Sequence, residues 1–349
     1  MRIMLCLAGA AHGGAETFFV DLATAFARAG VEIAPVIRPN AVRHSELRRA
    51  GARVRTAPYG RWLDMRTGPV LRRTVAEVEP DVVLAFMNRA AAWMPGGPHV
   101  KAARLGGYYD LKYYRRCEHL LCITPAIREH VVARGWPGAR AHVLPNFATV
   151  DNHLPEDRTN LNTPRRAPVL LVPSRLHRNK GLDVMLRALA QLPGVICWLA
   201  GDGPARTELG RLALELGVVD RVRFLGWRAD KGALYRAADV VVFPSRYEPF
   251  GTVSLEAWAY ERPLVTTDAD GPAGLVTPER DALMVPREDP DALAAAIRRV
   301  LDDPRLAARL VAAGRTRYHE GYTEAACVAR YLDLFRRLIA DRADARETG

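Results

Sequence analysis

The chain has 349 residues, too many for one ordinary core and enough for two domains. With 49% hydrophobic and 26% charged residues it is not a disordered chain, and no apolar run reaches the ~18 residues that cross a bilayer. The net charge of +11 sits almost wholly in the first part: residues 1–150 hold 21 Lys+Arg against 11 Asp+Glu (+10), and residues 151–349 hold 29 against 28 (+1).

Short apolar runs alternate with amphipathic stretches from end to end. "RIMLCLA" reads as a buried first strand followed by a glycine turn, in preference to a signal peptide. The helix "AETFFVDLATAFARAG" closes at Gly30. The strand "VEIAPVIR", the helix "SELRRAG" and the strands "DVVLAFM" and "HLLCITP" follow, then the helix "AIREHVVARG" and the segment "AHVLPNF". Residues 151–167 are polar, rich in Asn, Asp and Pro and without periodicity, which predicts a linker. Alternation restarts with the strand "PVLLVPS" and the helix "LDVMLRALAQL", and "VICWLAGDG", "VRFLGW", "DVVVFPS", "PLVTTDA" and "ALMVP" continue the strands. The helices between them are "ARTELGRLALELG", "DKGALYRAA" and "GTVSLEAWAYE". Three helices end the chain, the last a long one from about 324 to 345. Such alternation predicts parallel sheets covered on both faces. The expected class is α/β, with two doubly wound, Rossmann-like domains at 1–150 and 168–323 facing across a cleft.

The odd count of five cysteines (Cys6, Cys117, Cys122, Cys197, Cys327), with no Cys-x-x-Cys, predicts reduced, mostly buried thiols in a cytoplasmic protein. Many of the first domain's arginines fall between Arg38 and Arg73: Arg43, Arg48, Arg49, Arg53, Arg55, Arg61, Arg66 and Arg72. Either the chain favours Arg on solvated helix faces, or this region meets an anionic partner such as a membrane surface. No nucleic-acid motif accompanies them.

In open α/β sheets, ligands gather at the carboxyl ends of the strands. "AHGGAE" follows the first strand, and Gly13 and Gly14 there could let backbone amides approach an anion at a helix N-terminus, or simply make a tight turn. "PSRLHRNKG" places Arg175 and Lys180 five apart after a strand, two cations suited to a diphosphate. Gly201 and Gly203 in "WLAGDGP" allow close backbone approach; Trp227 and Arg228 end "FLGWR", with Trp227 either covering a nucleobase or belonging to the core. In "PSRYEPFGTVSLEAW", Glu248 precedes a helix that starts between Phe250 and Thr252, and Glu256 lies inside it. Carboxylates accept paired hydrogen bonds from vicinal hydroxyls, so two at this spacing suit two rings of one extended ligand, with a diphosphate at the helix end between them.

"GGAE", "SRLHRNKG", "AGDGP", "FLGW" and "PSRYEPFGTVSLEAWA" occur in the order found in the retaining glycosyltransferases of GT-B type, family 4. The chain resembles that family, strongly over about 168–300 and more thinly over 1–150, with the Glu248-x7-Glu256 element as the most specific sign. The resemblance implies a sugar transfer from a nucleoside diphosphate, with UDP ahead of GDP. Arg175 and Lys180 would hold the diphosphate and Glu248 the sugar hydroxyls; Glu256 would bind the ribose. Backbone amides around Phe250, Gly251, Thr252 and Val253 would complete the phosphate site, and Gly13 and Gly14 would approach the donor from the first domain. It also implies that the final helix crosses back to the first domain.

Two departures stand out. Where the family often carries a histidine, the loop reads "RLGGYYDLKYY", leaving that contact to Tyr108, Tyr109 or Asp110. Where it often has Gly-Gly-x-x-Glu, the sequence reads "DGPAGLV". Asn88 and Arg89, just after "DVVLAF", are acceptor candidates. "DAD" at 268–270 matches a metal-binding pattern, but the cations and helix end already meet phosphate charge, so no metal and no cofactor is expected. The expected acceptor is a lipopolysaccharide-core or other cell-envelope glycan, reached from the cytoplasm with peripheral contact to an anionic membrane. A nucleotide-sugar epimerase of the same architecture, or a transferase acting on a soluble sugar, is the alternative. A nicotinamide dehydrogenase would need a dinucleotide fingerprint that is missing.

Overall fold

The computed structural model describes residues 1–10, 13–60 and 63–347. The chain divides into two compact units, residues 1–146 with 324–349, and residues 147–323.

The first unit is built on β1 (Arg2–Leu7), β2 (Glu32–Ile37), β3 (Arg55–Thr56), β4 (Val82–Phe86), β5 (Val100–Leu105), β6 (His119–Cys122) and β7 (Ala141–Val143). They form one parallel sheet in the order β3-β2-β1-β4-β5-β6-β7. Central strands such as "VVLAF" are buried along their whole length, as a sheet covered on both faces requires. Between them run α1 (Gly14–Arg28), α2 (Ala41–Arg49), α3 (Thr67–Val78), α4 (Met87–Ala92) and α5 (Pro125–Ala133). Local chemistry sets the helix starts: the Asn40 side chain accepts from the Arg43 amide, and Thr124 caps α5 with Pro125 in its first turn. Sequence periodicity missed α3, the two-residue β3 and β5, and placed the α2 helix several residues late.

The second unit carries β8 (Val169–Val172), β9 (Ile196–Ala200), β10 (Val222–Gly226), β11 (Val240–Phe243), β12 (Leu264–Thr267) and β13 (Leu283–Val285). The order is β10-β9-β8-β11-β12-β13, again parallel. Its helices are α6 (Leu182–Ala190), α7 (Arg206–Glu215), α8 (Lys231–Ala237), α9 (Thr252–Ala259), α10 (Asp270–Leu275), α11 (Pro290–Asp302) and α12 (Pro304–Gly321). Asp289 and Asp303 cap α11 and α12, each followed by proline.

The last helix, α13 (Glu324–Glu347), belongs to the first unit. Its buried Cys327, Tyr331, Leu334, Phe335 and Leu338 follow helical spacing, and Phe26 of α1 meets the Tyr331 ring at 5.8 Å. Arg104 of β5, 2% exposed, lies 4.2 Å over the Phe18 ring and donates to the Tyr331 hydroxyl and to Asn146.

Residues 151–167, expected to be a linker, are instead packed on the second unit. Arg158 donates to Ala237 and Ala167 carbonyls and pairs with Asp239, and the Thr163 hydroxyl accepts from the buried Trp198 indole at 2.9 Å. Low hydrophobicity hid this because the anchoring is polar. The first unit's opening segment accordingly ends at Asn146, not at 150.

Candidate active site

In the second unit the strand order reverses between β8 and β11, and ligands of such sheets bind at the carboxyl ends beside that reversal. The loops that leave β8 and β11 carry the predicted cations and Glu248. Arg175 is exposed and, among the described residues, forms no ion pair; Lys180 reaches across to Glu248 at 2.5 Å. The other oxygen of Glu248 accepts from the amides of Gly251 at 3.2 Å and Phe250 at 3.5 Å. The carboxylate therefore sits between a lysine and the N-terminus of α9, where both the cation and the helix end favour negative charge. Gly251 occupies the left-handed region (φ 95°) as the residue before α9, and the Phe250 ring is buried. The amides of Phe250 and Gly251, expected to face a phosphate, are thus taken up by Glu248, while Thr252 and Val253 open α9 half-buried.

Glu256, 8% exposed, lies one turn further on. One oxygen pairs with Lys231 Nζ at 2.5 Å, and the other accepts from the Tyr235 hydroxyl at 2.6 Å. Lys231 and Tyr235 are four apart on α8, hence on one face. Tyr235 is fully buried and stacks on Tyr260, centroids 4.9 Å apart. Burial and the neighbouring Glu256 carboxylate both push the Tyr235 phenol well above its usual range, so it remains a donor. Sequence reading missed both partners of Glu256, although the i, i+4 spacing of Lys231 and Tyr235 was visible.

Of the expected donor contacts, Arg228, Gly201 and Gly203 take a different form. Arg228 is engaged by Glu156 at 2.5 Å and by both oxygens of Asp230, so its guanidinium serves the structure rather than an open rim. Trp227 is 71% exposed, which removes the core alternative. Gly201 and Gly203 approach a neighbouring loop closely: a Cβ there would lie 2.1 Å from the Ser174 carbonyl oxygen and 2.3 Å from that of Leu176. Their glycine requirement is met by backbone packing that holds the Arg175 loop in place. Gly271 has the same part on the other side, its amide donating to the Glu248 carbonyl at 2.7 Å. Asp268 of the "DAD" sequence accepts from the Arg287 amide and guanidinium, and Asp270 lies 4.0 Å from the same guanidinium.

In the first unit the order reverses between β1 and β4, and the loops that leave those strands carry the glycine turn and Asn88. Ala11 and His12 of "AHGGAE" lie outside the described residues; Gly13 and Gly14 begin α1. Buried Glu16 folds back onto this turn, accepting from the Ala10 amide at 2.7 Å, and a Cβ on Gly13 would lie 2.3 Å from its carboxylate. Arg43, 5% exposed, donates to the Ala10 carbonyl at 3.0 Å, so the backbone of Ala10 is held at both its amide and its carbonyl. Met87 starts α4 with φ 63°, an uncommon conformation for its side chain. Next to it, Asn88 accepts from the Tyr114 hydroxyl at 2.7 Å, and Arg89 is exposed.

Asp110 caps the turn that follows β5, accepting from the Lys112 amide, and pairs with the Lys112 ammonium at 2.7 Å. The Tyr108 ring stands edge-on to His130, 5.0 Å away, and a Tyr109 backbone hydrogen bond reaches the same histidine. Thus a histidine does adjoin the loop, supplied by α5 rather than by the loop itself. Desolvation and Arg134 lower its pKa, so it is chiefly neutral at pH 7.

Two lysine-paired carboxylates, with an arginine that forms no ion pair among the described residues on the same loop as Lys180, suit a polyhydroxylated anion. Residues 155–317 match the family model "Glycosyl transferases group 1", and residues 12–152 match "Glycosyltransferase Family 4". The chain is 39% identical, over 95% of its length and 97% of the other protein, to the lipopolysaccharide core biosynthesis glycosyltransferase LpsD of Rhizobium meliloti (strain 1021). It is 37% identical, over 92% and 95%, to LpsE of the same strain, which carries the same description. Among solved structures, Anabaena Alr3699/HepE in complex with UDP superposes with a TM-score of 0.84, covering 97% of this chain and all of that one at 20% identity, a likeness of fold.

Proposed function

The chain belongs to glycosyltransferase family 4, with the two-sheet GT-B fold, and from that premise we propose that it moves a sugar, with retention, from a nucleoside diphosphate to a hydroxyl of a lipopolysaccharide-core or other cell-envelope glycan. The observation that carries this reading is the pair of lysine-bound carboxylates, Glu248 and Glu256, on one helix and its approach. UDP is the first candidate nucleotide and GDP the second. The UDP found with the Anabaena neighbour and the lipopolysaccharide named for the Rhizobium relatives support these choices.

In this reading Glu256 binds the ribose, Glu248 the transferred sugar, and Arg175 and Lys180 the diphosphate. Within the first unit, Asn88, Arg89, Tyr108, Tyr109 and Asp110 receive the acceptor. The bond between the sugar's anomeric carbon and the β-phosphate oxygen breaks, and negative charge grows on the diphosphate. Fixed cations there lower the barrier. The acceptor oxygen bonds to the same carbon on the same face, and its proton passes to a β-phosphate oxygen. No metal is required: Arg287 already meets the carboxylates of Asp268 and Asp270. Work takes place at the cytoplasmic face of the inner membrane, with the basic residues between Arg38 and Arg73 against anionic lipid. Among the described residues, no helix is long and apolar enough to cross a membrane.

A calorimetric panel of UDP, GDP, ADP, CMP and NAD tests the donor site, followed by turnover of the matching nucleotide-sugars on truncated lipopolysaccharide, with and without chelator. Selective UDP or GDP binding, lost in Arg175→Ala/Lys180→Ala, supports the reading. Binding of NAD alone overturns it, and conversion of the donor without an acceptor identifies an epimerase.

A further inference from the structure

We propose that Arg246 is a positioning residue for the transfer: its guanidinium locks the loop of Arg175 and Lys180 to the loop of Glu248, so that the groups meeting diphosphate and sugar keep one spacing while the donor enters. The inference rests on the reading above in giving Lys180 to the diphosphate and Glu248 to the sugar.

Arg246 stands two residues before Glu248 in the loop that leaves β11. An arginine at this place could serve a phosphate, but its donors are already taken. A guanidinium carries five N–H donors in one plane. Here each has its own acceptor. Nε donates to Glu288; Nη1 donates to the Arg178 carbonyl at 2.8 Å and to Asp183 at 2.6 Å; Nη2 donates to the second oxygen of Asp183 at 2.6 Å and to that of Glu288 at 2.8 Å. The group is part of the site's frame and not a ligand contact.

The partners come from both sides of the site. Arg178 belongs to the loop after β8, Asp183 to the first turn of α6, and Glu288 to the loop between β13 and α11. Glu288 takes φ 62°, uncommon for a residue other than glycine. The backbone adds to the junction. The Asn179 carbonyl accepts from the amides of Arg246 at 2.8 Å and Tyr247 at 3.1 Å, and the Arg246 carbonyl accepts from Arg287 at 3.3 Å. Lys180 follows Arg178 by two residues, as Glu248 follows Arg246, and the two loops meet again there in the ion pair at 2.5 Å.

These two links differ in what a donor does to them. A donor that takes up Lys180 and Glu248 opens their ion pair. The bonds of Arg246 involve no group that the donor uses, so they persist. Without Arg246, the Asp183 and Glu288 carboxylates would share a site with no cation between them, and like charges would push their loops apart. Lysine cannot replace it, since an ammonium has three donors and no planar fork. Transfer needs the diphosphate cation and the sugar contact in register, whereas a bare nucleoside diphosphate does not use Glu248. Loosened loops therefore cost more in turnover than in nucleotide binding.

Hydrogen exchange on the full chain without ligand, together with steady-state kinetics, tests the lock in Arg246→Lys and Glu288→Gln. The control is Arg299→Lys, which breaks a comparable fork on Glu279. Amides of residues 175–181 and 245–251 should exchange about tenfold faster or more in Arg246→Lys, with β8 and β11 unchanged and the control like the parent. Glu288→Gln, altered at a side chain 56% exposed, should show the same change at about threefold and decides the matter if Arg246→Lys does not fold. With the nucleotide-sugar and truncated lipopolysaccharide that the parent uses, kcat should fall about tenfold or more in Arg246→Lys, while calorimetric UDP affinity stays within about threefold. A purely structural arginine would lower thermal stability without this split. The proposal is overturned by parental exchange in both loops, or by loosened loops with parental kcat. A parent that turns over no nucleotide-sugar fails the transferase reading, and the exchange comparison still decides the lock.

Discussion

Replacing Glu256 by glutamine should separate nucleotide binding from folding. Among the described residues, the Lys231 ammonium and the Tyr235 hydroxyl meet this carboxylate, and they respond differently. The Lys231 side chain is 39% exposed, so its ion pair is well screened and contributes about 0–1 kcal/mol. The buried Tyr235 hydroxyl can donate to an amide oxygen as it does to a carboxylate. Glu256→Gln should therefore lower stability by no more than about 1 kcal/mol. A ligand hydroxyl bound to the carboxylate loses more, because hydrogen bonds to charged groups are worth about 1.5–3 kcal/mol. Binding of UDP or GDP should fall by roughly 10- to 150-fold. Glu256→Ala also strands the Tyr235 hydroxyl and should cost about 1–3 kcal/mol of stability. Urea midpoints and calorimetric titrations on the three proteins give both quantities. Unaltered nucleotide affinity in Glu256→Gln would refute the ribose assignment; instability equal to that of Glu256→Ala would refute the division between the two partners.

Gly271→Ala places a Cβ 2.4 Å from the Phe250 nitrogen and 2.6 Å from the Glu248 carbonyl oxygen. It should cost about 1–3 kcal/mol and reduce turnover more than nucleotide affinity, since it displaces Glu248 and not Glu256; steady-state kinetics with binding data check this. Glu118 accepts from Arg342 on α13 and from Lys101; burial raises its pKa, but these partners hold it at about 2, below the ordinary 4.5. The stabilisation is fully present above about pH 4.5 and fades as pH falls toward 2, so the urea midpoints of the parent and Glu118→Gln should differ at pH 7 and converge below 4.5. Thr163→Val leaves the buried Trp198 indole without its acceptor and should cost about 1–3 kcal/mol by denaturant titration, whereas a free linker at that position would show no change.

The legible parts of this molecule were those written in short strings. Strands such as "VVLAF" and "VVVF" declare themselves because both faces are buried, and Glu248 and Glu256 could be placed because one helix and its approach contain both. What escaped depends on pairing across the sequence. Lys231 lies 25 residues from Glu256, and α8 reads as an ordinary surface helix until its neighbour is known. Arg228 looked available because Glu156, 72 residues away, sits in a stretch whose composition imitates a linker. Gly201 and Gly203 were right as glycines and incomplete as explanations: the sequence shows that backbone comes close to something, and only the fold shows that the something is the Ser174–Leu176 backbone.

The choice of cation at the two glutamates carries the last argument. The chain has only four lysines, Lys101, Lys112, Lys180 and Lys231, among 50 basic residues, so arginine is the default. Yet both site glutamates are met by lysine. Arginine holds a carboxylate with a planar fork that can occupy both oxygens, as Arg246 does with Asp183 and Arg299 with Glu279. A lysine is a point charge on a flexible stem, so it takes one oxygen, leaves the second to neutral donors (the Tyr235 hydroxyl at Glu256, the Phe250 and Gly251 amides at Glu248) and can turn from carboxylate to phosphate. Lys231→Arg should keep the charge and stability within about 0.5 kcal/mol, yet weaken UDP or GDP binding about tenfold by closing the fork on Glu256. Calorimetric titration against Lys231→Met, which removes the charge, decides the matter. If Lys231→Arg binds nucleotide as the parent does, charge alone matters at this position and the argument from geometry fails.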